Sequence, residues 1–313
     1  MNIVVQGCGA MGSVYAALFC SVGHSVSVMS RNRDHMAAIE RSGLRVSGAS
    51  GDRIVTPIVV EDLPNTPIDL LIMSVKAGAV ADAATMSAKV KERIARIVTI
   101  QNGLGSADIV ADLLGSDKLV VGIAQGFGAS LVSPGHVHHN DMKAIRLGTY
   151  GDLPLASIEE LASLWRQVGF DTEAVHDIVS AQWEKLICNV AYSAPCALTG
   201  LTVGEAMLDD ALGPITQGAA LEAYDVAQAL NIPLSFDDPV AYVRAFAERM
   251  PDAKPSVLLD IESGKPSEVG VINGSIPRQA SKVGLSAPVN ATLTQLVQAM
   301  ENRLSKNSLE ETP

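Results

Sequence analysis

The sequence predicts an α/β protein in which an N-terminal Rossmann-type, doubly wound sheet precedes a C-terminal all-helical domain. Short β-branched runs alternate with helix-like stretches in the first half, and a glycine-rich turn follows the first of these runs. After about Ile178 the pattern is almost entirely helical. At roughly 150 residues per domain, 313 residues suit two domains. We therefore divide the chain into residues 1–177 and residues 178–313.

Four apolar runs predict the parallel strands of the sheet. They are Ile3–Val5, Val26–Met29, Asp69–Val75 and Ile97–Ile100. Each precedes a stretch with helical periodicity, and these helices are predicted at Ala10–Val22, Asp34–Arg41, Ala77–Val90 and Leu104–Leu114. Nearly continuous apolar strands indicate a sheet that helices cover on both faces.

The residue pattern changes between Leu119 and Tyr150. Glycines and a proline break it into short extended runs, which predicts a strand and antiparallel hairpins that complete the sheet. A helix at Ser157–Val168 and a strand at Phe170–Val175 end the domain.

Composition narrows the class of function. The formal charge is 23 − 34 = −11 and aromatic residues make up 4%, which argues against nucleic-acid binding. No apolar run reaches the roughly 18 residues of a membrane span. No basic region precedes an apolar stretch at the start of the sequence, so we expect no signal peptide. The four cysteines form no CxxC pair, so we expect a cytoplasmic protein without disulfides. We expect it to act as a monomer or homodimer.

The first strand is followed by a GxGxxG motif that opens a helix. The first glycine allows a tight turn, the second lets the backbone approach a pyrophosphate, and the third lets helix and strand pack closely. The helix N-terminus attracts the anion. The predicted dinucleotide-binding residues are Gly7, Cys8, Gly9, Ala10, Met11 and Gly12.

The end of the second strand indicates which dinucleotide binds. NAD sites usually have an Asp or Glu there, but this chain has Ser30-Arg31-Asn32-Arg33. Arg31 can pair with a 2′-phosphate through charge-assisted bonds, so we interpret the cofactor as NADPH/NADP⁺. The alternative is that Arg31 and Arg33 are solvated surface residues.

Polar residues also follow two other strands. Lys76 comes after the third strand of the core, and Asn102 after the fourth. The carboxyl ends of the strands border the ligand crevice of an open α/β sheet, so both residues are candidates to meet a cofactor or substrate. Taken singly, Lys76 equally fits a solvated helix start, and Asn102-Gly103 an ordinary turn.

One helix of the second half carries a polar stripe. Lys185, Asn189 and Ser193 are spaced i, i+4 and i+8, among apolar neighbours. Such a stripe can line a cleft, although a lone lysine on an apolar helix more often extends its ammonium to solvent.

Several segments together resemble the ketopantoate reductase (2-dehydropantoate 2-reductase) family, over about Asn2 to Met300. They are Gly7–Gly12, Arg31, Val75–Ala77, Gln101–Gly105, Trp183–Asn189 and Ser256–Pro288. The resemblance implies a Rossmann domain followed by a helical domain, with the active site in the cleft between them. Many motifs in the same order are far more specific than a lone GxGxxG.

The resemblance also implies residue roles. Lys185 matches the family's catalytic lysine, and Glu268 its active-site glutamate. The positions that match substrate-binding residues are Asn102, Asn189 and Ser256. Arg31 and Lys76 match contacts to the 2′-phosphate of the cofactor, and Asn102 is also assigned to the cofactor site.

The implied activity is NADPH-dependent reduction of 2-dehydropantoate to (R)-pantoate in pantothenate biosynthesis. The chain departs from the family pattern at Ser193-Ala194, where a second Asn and a Pro are usual, and at Val269-Gly270, where Ile-Asp is usual. Ser193 belongs to the substrate shell, so an NAD(P)-dependent D-2-hydroxyacid dehydrogenase for another 2-keto acid is an alternative. A non-catalytic NADP-binding sensor is the alternative from a different class.

A histidine cluster stands apart from these motifs. His136 and His138 would share one face of a strand, and His139 would face the other way. No CxxC, HExxH or acidic cluster accompanies them, so we predict a solvated hairpin and no metal.

Overall fold

The chain forms two compact units in a computed structural model that describes residues 1–126, 128–141 and 144–310. The first unit contains Met1–Gln101 and Ser106–Ile178. The second contains Asn102–Gly105 and Val179–Pro313. The sequence-based division assigned residues 102–105 to the N-terminal domain, whereas their contacts group them with the helical unit.

In the described residues of the first unit there are twelve strands, which form two sheets. They are β1 (Asn2–Gln6), β2 (Ser25–Met29), β3 (Leu44–Gly48), β4 (Arg53–Val55), β5 (Ile58–Val59), β6 (Leu70–Met73), β7 (Ile97–Thr99), β8 (Leu119–Gln125), β9 (Gly128–Ser133), β10 (His136–Asp141), β11 (Ala144–Thr149) and β12 (Thr172–Ala174). The main sheet has the order β12-β11-β8-β7-β6-β1-β2-β5. From β5 to β8 all neighbours are parallel, and β11 pairs antiparallel with β8.

The helices of this unit are α1 (Ala10–Ser21), α2 (Arg33–Ser42), α3 (Val80–Ala88), α4 (Ser106–Leu114) and α5 (Leu155–Gln167). The parallel sheet with its helices confirms the predicted fold class. The predicted helix at Leu104–Leu114 begins two residues later than expected, at Ser106, because residues 102–105 form bends.

The second sheet corrects the prediction for residues 119–150. β8 and β11 complete the main sheet as expected, but the β9–β10 hairpin joins β3 and β4 in a sheet of order β4-β3-β10-β9. The bond pattern that decides this is the parallel pairing of β10 with β3, which joins segments about 90 residues apart, for example His136 with Arg45. Local patterns do not reveal such a pairing.

Helix α1 packs against strands of both sheets. All residues from Gly12 to Phe19 are buried, as expected of a helix that is apolar on every side. The rings of Tyr15 and Phe19 pack on Trp165 of α5, with centroids 5.2 and 5.4 Å apart. This packing holds α1, whose first turn contains the last residues of the glycine motif.

The second unit is helical. Its helices are α6 (Ile178–Thr199), α7 (Val203–Leu208), α8 (Gly213–Ala229), α9 (Pro239–Arg249), α10 (Ser256–Glu262), α11 (Ser275–Lys282) and α12 (Pro288–Glu310). Local signals set several boundaries: Thr202 and Glu205 form a capping box at α7, and Asp238 caps α9 ahead of Pro239. Across the described part of the chain, no helix has the length and apolarity needed to cross a membrane.

Candidate active site

The glycine motif forms a tight turn between β1 and α1. The backbone N–H groups of Gly7 and Cys8 both donate to the carbonyl of Met29, at 3.0 and 2.9 Å. Gly7 has a φ of 104°, and a Cβ there would lie 2.6 Å from the carbonyl carbon of Ser74. Only glycine fits this position without strain.

The other two glycines of the motif differ in their surroundings. A Cβ on Gly12 would lie 2.6 Å from Ser74 Oγ, so helix and strand pack too closely for a side chain. A Cβ on Gly9 would meet nothing within 4 Å, and no side chain caps the start of α1. The turn is thus closed toward the protein and open at Gly9, which fits a pyrophosphate held by the helix N-terminus.

The remaining residues of the motif fill the turn. Ala10 and Met11 begin α1 and are partly buried, whereas Cys8 is fully buried with its thiol 3.3 Å from Ser13 Oγ. Burial raises the pKa of the Cys8 thiol to about 12. Cys8 therefore packs the turn as a neutral thiol.

Four neighbouring strands end level with one another. Gln6 of β1 is in register with Met29 of β2 and with Met73 of β6, and Met73 is in register with Thr99 of β7. The glycine motif, Arg31, Lys76 and Gln101 follow these four strand ends. Parallel strands thus bring these segments to one edge of the sheet, as predicted from their order.

The two basic residues at this edge are both exposed. Arg31 lies two residues beyond the end of β2, and the next residue, Asn32, caps α2 by accepting from His35 N–H at 3.1 Å. Lys76 begins a short 3₁₀ turn after β6. Both residues thus place an exposed positive charge at the sheet edge.

A buried hydrogen-bonded chain links the glycine turn to α2. Ser13 Oγ lies 3.0 Å from His35 Nε2, and His35 Nδ1 accepts from Gly135 N–H at 2.9 Å. Because Nδ1 accepts, the neutral ring carries its proton on Nε2 and donates it to Ser13. Sequence reasoning missed Ser13 and His35, and no local pattern distinguishes them from ordinary helix residues.

In the helical unit, Lys185, Asn102 and Glu268 meet. The Lys185 ammonium donates to Asn102 Oδ1 at 2.8 Å, and Asn102 Nδ2 donates to Glu268 Oε2 at 3.3 Å. In the chain, Asn102 is 83 positions from Lys185 and 166 positions from Glu268. We call Lys185, Asn102 and Glu268 the polar triad.

A second contact holds Asn102 in place. Gly103 has a φ of 77° and approaches Val271 so closely that a Cβ would lie 2.6 Å from the Val271 carbonyl carbon. Leu104 N–H donates to the Val271 carbonyl at 3.1 Å. The Asn102 turn is therefore fastened to the turn that begins at Glu268.

The environment of Lys185 changes its acidity. Burial lowers the pKa of Lys185 to about 8, and the negative charge of Glu268 acts in the opposite direction. An ammonium with this pKa is a better proton donor near neutral pH than an exposed lysine. Perturbed lysines of this kind are typical of functional sites.

The other predicted substrate residues lie outside the triad. Asn189 is half-buried and Ser193 is 3% exposed, one and two turns beyond Lys185 on α6, while Ser256 is exposed at the start of α10. Within the described residues, no hydrogen bond joins Asn189, Ser193 or Ser256 to the triad.

The histidine cluster lies in the second sheet, not among these groups. Ser47 Oγ contacts His136 Nε2 at 2.9 Å and His138 Nδ1 at 3.3 Å, while His139 is buried. Among the residues that the structure describes, no group of three or more His, Cys, Asp or Glu side chains could hold a metal ion.

Two sequence models match almost the whole chain. The model described as ketopantoate reductase PanE/ApbA matches residues 3–152, and its C-terminal counterpart matches residues 177–301. The chain belongs to the ketopantoate reductase family. The resemblance inferred from the motifs is confirmed, and the family membership makes this chain an oxidoreductase that acts on a CH–OH group with a nicotinamide cofactor.

Individual members of the family agree with this assignment. A 2-dehydropantoate 2-reductase of Pyrococcus horikoshii is 31% identical over 303 residues, covering 96% of this chain and 98% of that protein. One from Archaeoglobus fulgidus is 29% identical over 304 residues, covering 97% and 99%.

Solved structures share the architecture. A PanE/ApbA family ketopantoate reductase from Ralstonia eutropha JMP134 has a TM-score of 0.86 and 29% identity, covering 97% of this chain and all of that chain. D-mandelate dehydrogenase, solved with NADH and anilino(oxo)acetate, has a TM-score of 0.90 at 23% identity, covering 97% and 99%. The second comparison shows a shared fold alone.

Proposed function

We propose that this enzyme reduces 2-dehydropantoate to (R)-pantoate with NADPH, a step of pantothenate biosynthesis. The observation that carries the proposal is the hydrogen-bonded polar triad, in which the pKa of Lys185 is lowered to about 8. Reduction of a ketone places negative charge on its oxygen, and a lysine ammonium can stabilise that charge and supply the proton.

Each member of the triad has a distinct role in this proposal. Lys185 donates its proton to the ketone oxygen. Asn102 holds the ammonium through its amide oxygen and, through its amide nitrogen, keeps Glu268 close. Glu268 maintains the positive charge of Lys185 and is available to accept from a substrate hydroxyl.

The N-terminal unit holds the cofactor in this proposal. The open side of the turn at Gly9 accommodates the pyrophosphate, and the exposed Arg31 and Lys76 pair with the 2′-phosphate. When bound, the cofactor supplies the hydride. The absence of an acidic residue at Ser30–Arg33 favours NADPH over NADH, because no carboxylate there repels the extra phosphate.

A second substrate assignment has an observation in its favour. Ser193, in place of the usual asparagine, is buried on the helix face of Lys185 and has a shorter reach. The shared fold with D-mandelate dehydrogenase is compatible with a 2-keto acid that lacks the hydroxyl of ketopantoate. Under this alternative the polar triad keeps its chemistry and only the acid differs.

A panel of 2-keto acids tests both assignments. NADPH absorbance is followed with ketopantoate, phenylglyoxylate and smaller acids, and the series is repeated with NADH. We expect the highest kcat/KM for ketopantoate with NADPH. A preference for an aryl acid supports the alternative, and no oxidation with any acid would overturn the proposal in favour of a non-catalytic NADP-binding protein.

A further inference from the structure

Two buried amides lie in the core of the helical unit. Asn273 and Asn290 are both fully buried, and Asn273 Nδ2 donates to Asn290 Oδ1 at 3.0 Å. The same nitrogen donates to the backbone carbonyl of Val190 at 2.9 Å. Asn273 thus joins the segment after Glu268 to the middle of α6.

The position of Asn273 ties it closely to Glu268. The N–H groups of Val271 and Ile272 donate to the Glu268 carbonyl, at 3.0 and 3.1 Å, and Gly274 N–H donates to Val269. Residues 268–274 therefore form one hydrogen-bonded turn. A displacement of Asn273 should therefore also move Glu268.

The other end of the contact lies close to Lys185. Val190 is five residues beyond Lys185 on the same helix, between Asn189 and Ser193. The bond from Asn273 to the Val190 carbonyl consequently fastens the Glu268 turn to the helix that carries Lys185.

We propose that Asn273 is a positioning residue for catalysis, which sets the separation of Glu268 and Lys185 by holding the 268–274 turn against α6. This inference rests on the proposed function, because it requires Lys185 and Glu268 to act together. Among the described residues, Asn273 forms no hydrogen bond with either side chain, and it acts through the backbone of both segments.

The amide oxygen of Asn273, which has an unfavourable environment, supports this role. Its Oδ1 atom is buried and has no hydrogen-bond partner among the described residues. A buried carbonyl without a partner costs free energy, whereas an apolar side chain of similar shape would avoid that cost. The two N–H donors therefore serve a purpose that an apolar residue cannot.

Asn290 provides a matched control. It has the same side chain and the same complete burial, but its Nδ2 donates to the Ala219 carbonyl and to Glu222 Oε2 on α8, at 3.0 and 2.9 Å. Its Oδ1 accepts from Asn273, but within the described residues none of its hydrogen bonds reaches α6. Asn290→Ser removes the Oδ1 acceptor of Asn273 Nδ2 but leaves the Val190 carbonyl as the second acceptor, so it should destabilise the core while the 268–274 turn stays joined to α6.

Glu268 within the 268–274 turn and Arg278 beside it carry opposite charges. Glu268 raises the pKa of Lys185 against the effect of burial. Arg278 of α11 donates to the Gly270 carbonyl at 2.9 Å and so holds the far side of the turn. If the turn loosens, Glu268 moves away from Lys185 and the ammonium loses its favourable charge.

The test compares Asn273→Ser with Asn290→Ser in the full-length enzyme. Urea unfolding measures the stability of each, and kcat and the pH dependence of kcat/KM are measured with ketopantoate and NADPH. NMR titration of ¹³C-lysine-labelled enzyme follows Lys185 without substrate, with Lys185→Ala identifying its signal.

We expect both variants to be less stable. Only Asn273→Ser should lower kcat, by about tenfold or more, and shift the Lys185 titration to lower pH.

The outcomes separate this inference from the proposed function. If Asn273→Ser matches Asn290→Ser in kcat and in the Lys185 titration, the positioning role is wrong. If Asn273→Ser does not fold, Asn273→Gln replaces it, because a longer amide keeps the donors but displaces the turn and should shift the same titration. Normal turnover of Lys185→Ala would instead overturn the proposed function, whatever Asn273 does.

Discussion

The Lys185 ammonium lies 2.8 Å from the amide oxygen of Asn102, which directly follows Gln101, the last residue of this segment of the N-terminal unit. Asn102 groups with the helical unit although the chain on both sides of residues 102–105 belongs to the first. A single short turn therefore carries a residue from the N-terminal half of the sequence into the polar triad.

Lys185 and Glu268 should act as one unit. Lys185→Ala should lower kcat by roughly 10²–10⁴, the range of a positioned acid. Glu268→Ala should also lower kcat, and the double variant should be little worse than Lys185→Ala, because coupled residues give non-additive losses. NADPH affinity, measured by fluorescence titration, should be retained in all three. Additive losses would contradict the coupling.

The value of kcat/KM should decrease on the alkaline side of its pH profile. Lys185 must be protonated to donate, and its pKa is about 8, so activity should be complete below this pH and be lost above it. Glu268→Gln removes a charge that raises the pKa of Lys185, and the alkaline limb should therefore move to lower pH. A limb that stays in place in Glu268→Gln would exclude Lys185 as its origin.

Arg31 should determine the choice of cofactor. Arg31→Ala should weaken NADPH binding by about 1.5–3 kcal/mol, the scale of a hydrogen bond to a charged group, and leave NADH binding almost unchanged. Arg33→Ala, at the first residue of α2, is the matched control and should change both affinities little. Isothermal titration with each cofactor measures this, and equal losses for both would exclude the 2′-phosphate contact.

Ser193 should affect the substrate rather than the cofactor. If ketopantoate is the substrate, Ser193→Asn should be tolerated or should lower the KM for it, because the longer amide restores the reach that is usual in the family. If the pocket suits another acid, the same change should harm the native reaction and improve ketopantoate reduction. Steady-state kinetics with both acids distinguish these two cases. An effect limited to NADPH binding would show that Ser193 does not belong to the substrate site.

His35 should make folding stability depend on pH. Burial lowers the pKa of His35 below its ordinary value of 6.5, so the folded state binds the proton less well than the unfolded state. The stability is therefore complete above pH 6.5 and decreases as the pH falls through the folded-state pKa. Protonation at Nδ1 would also break the bond from Gly135 N–H.

Urea unfolding at pH values above and below 6.5 measures this effect. The pH dependence should be smaller in His35→Gln and unchanged in His138→Gln, which replaces an exposed histidine. The pKa of buried His139 is lowered as well, so part of the dependence should remain in His35→Gln. An unaltered slope in His35→Gln would contradict the assignment.

The sequence by itself determined the features that depend on neighbouring residues. Apolar runs and helical periodicity located most strands and helices of the main sheet, since burial on both faces demands continuous apolar strands. The glycine motif indicated the turn between β1 and α1, because a φ of 104° at Gly7 and the close approach of Gly12 to Ser74 exclude other residues. The order of the strand ends indicated that Arg31 and Lys76 reach one edge of the sheet.

Only the tertiary structure decided the features that join distant segments. The pairing of β10 with β3, the Ser13–His35 bond and the polar triad all depend on contacts between residues far apart in the chain. Motif resemblance suggested that Lys185 and Glu268 act in one site, but not that Asn102 bridges them. The physical reason is that a hydrogen bond depends on distances of about 3 Å, and packing of the whole unit, rather than any local pattern, sets those distances.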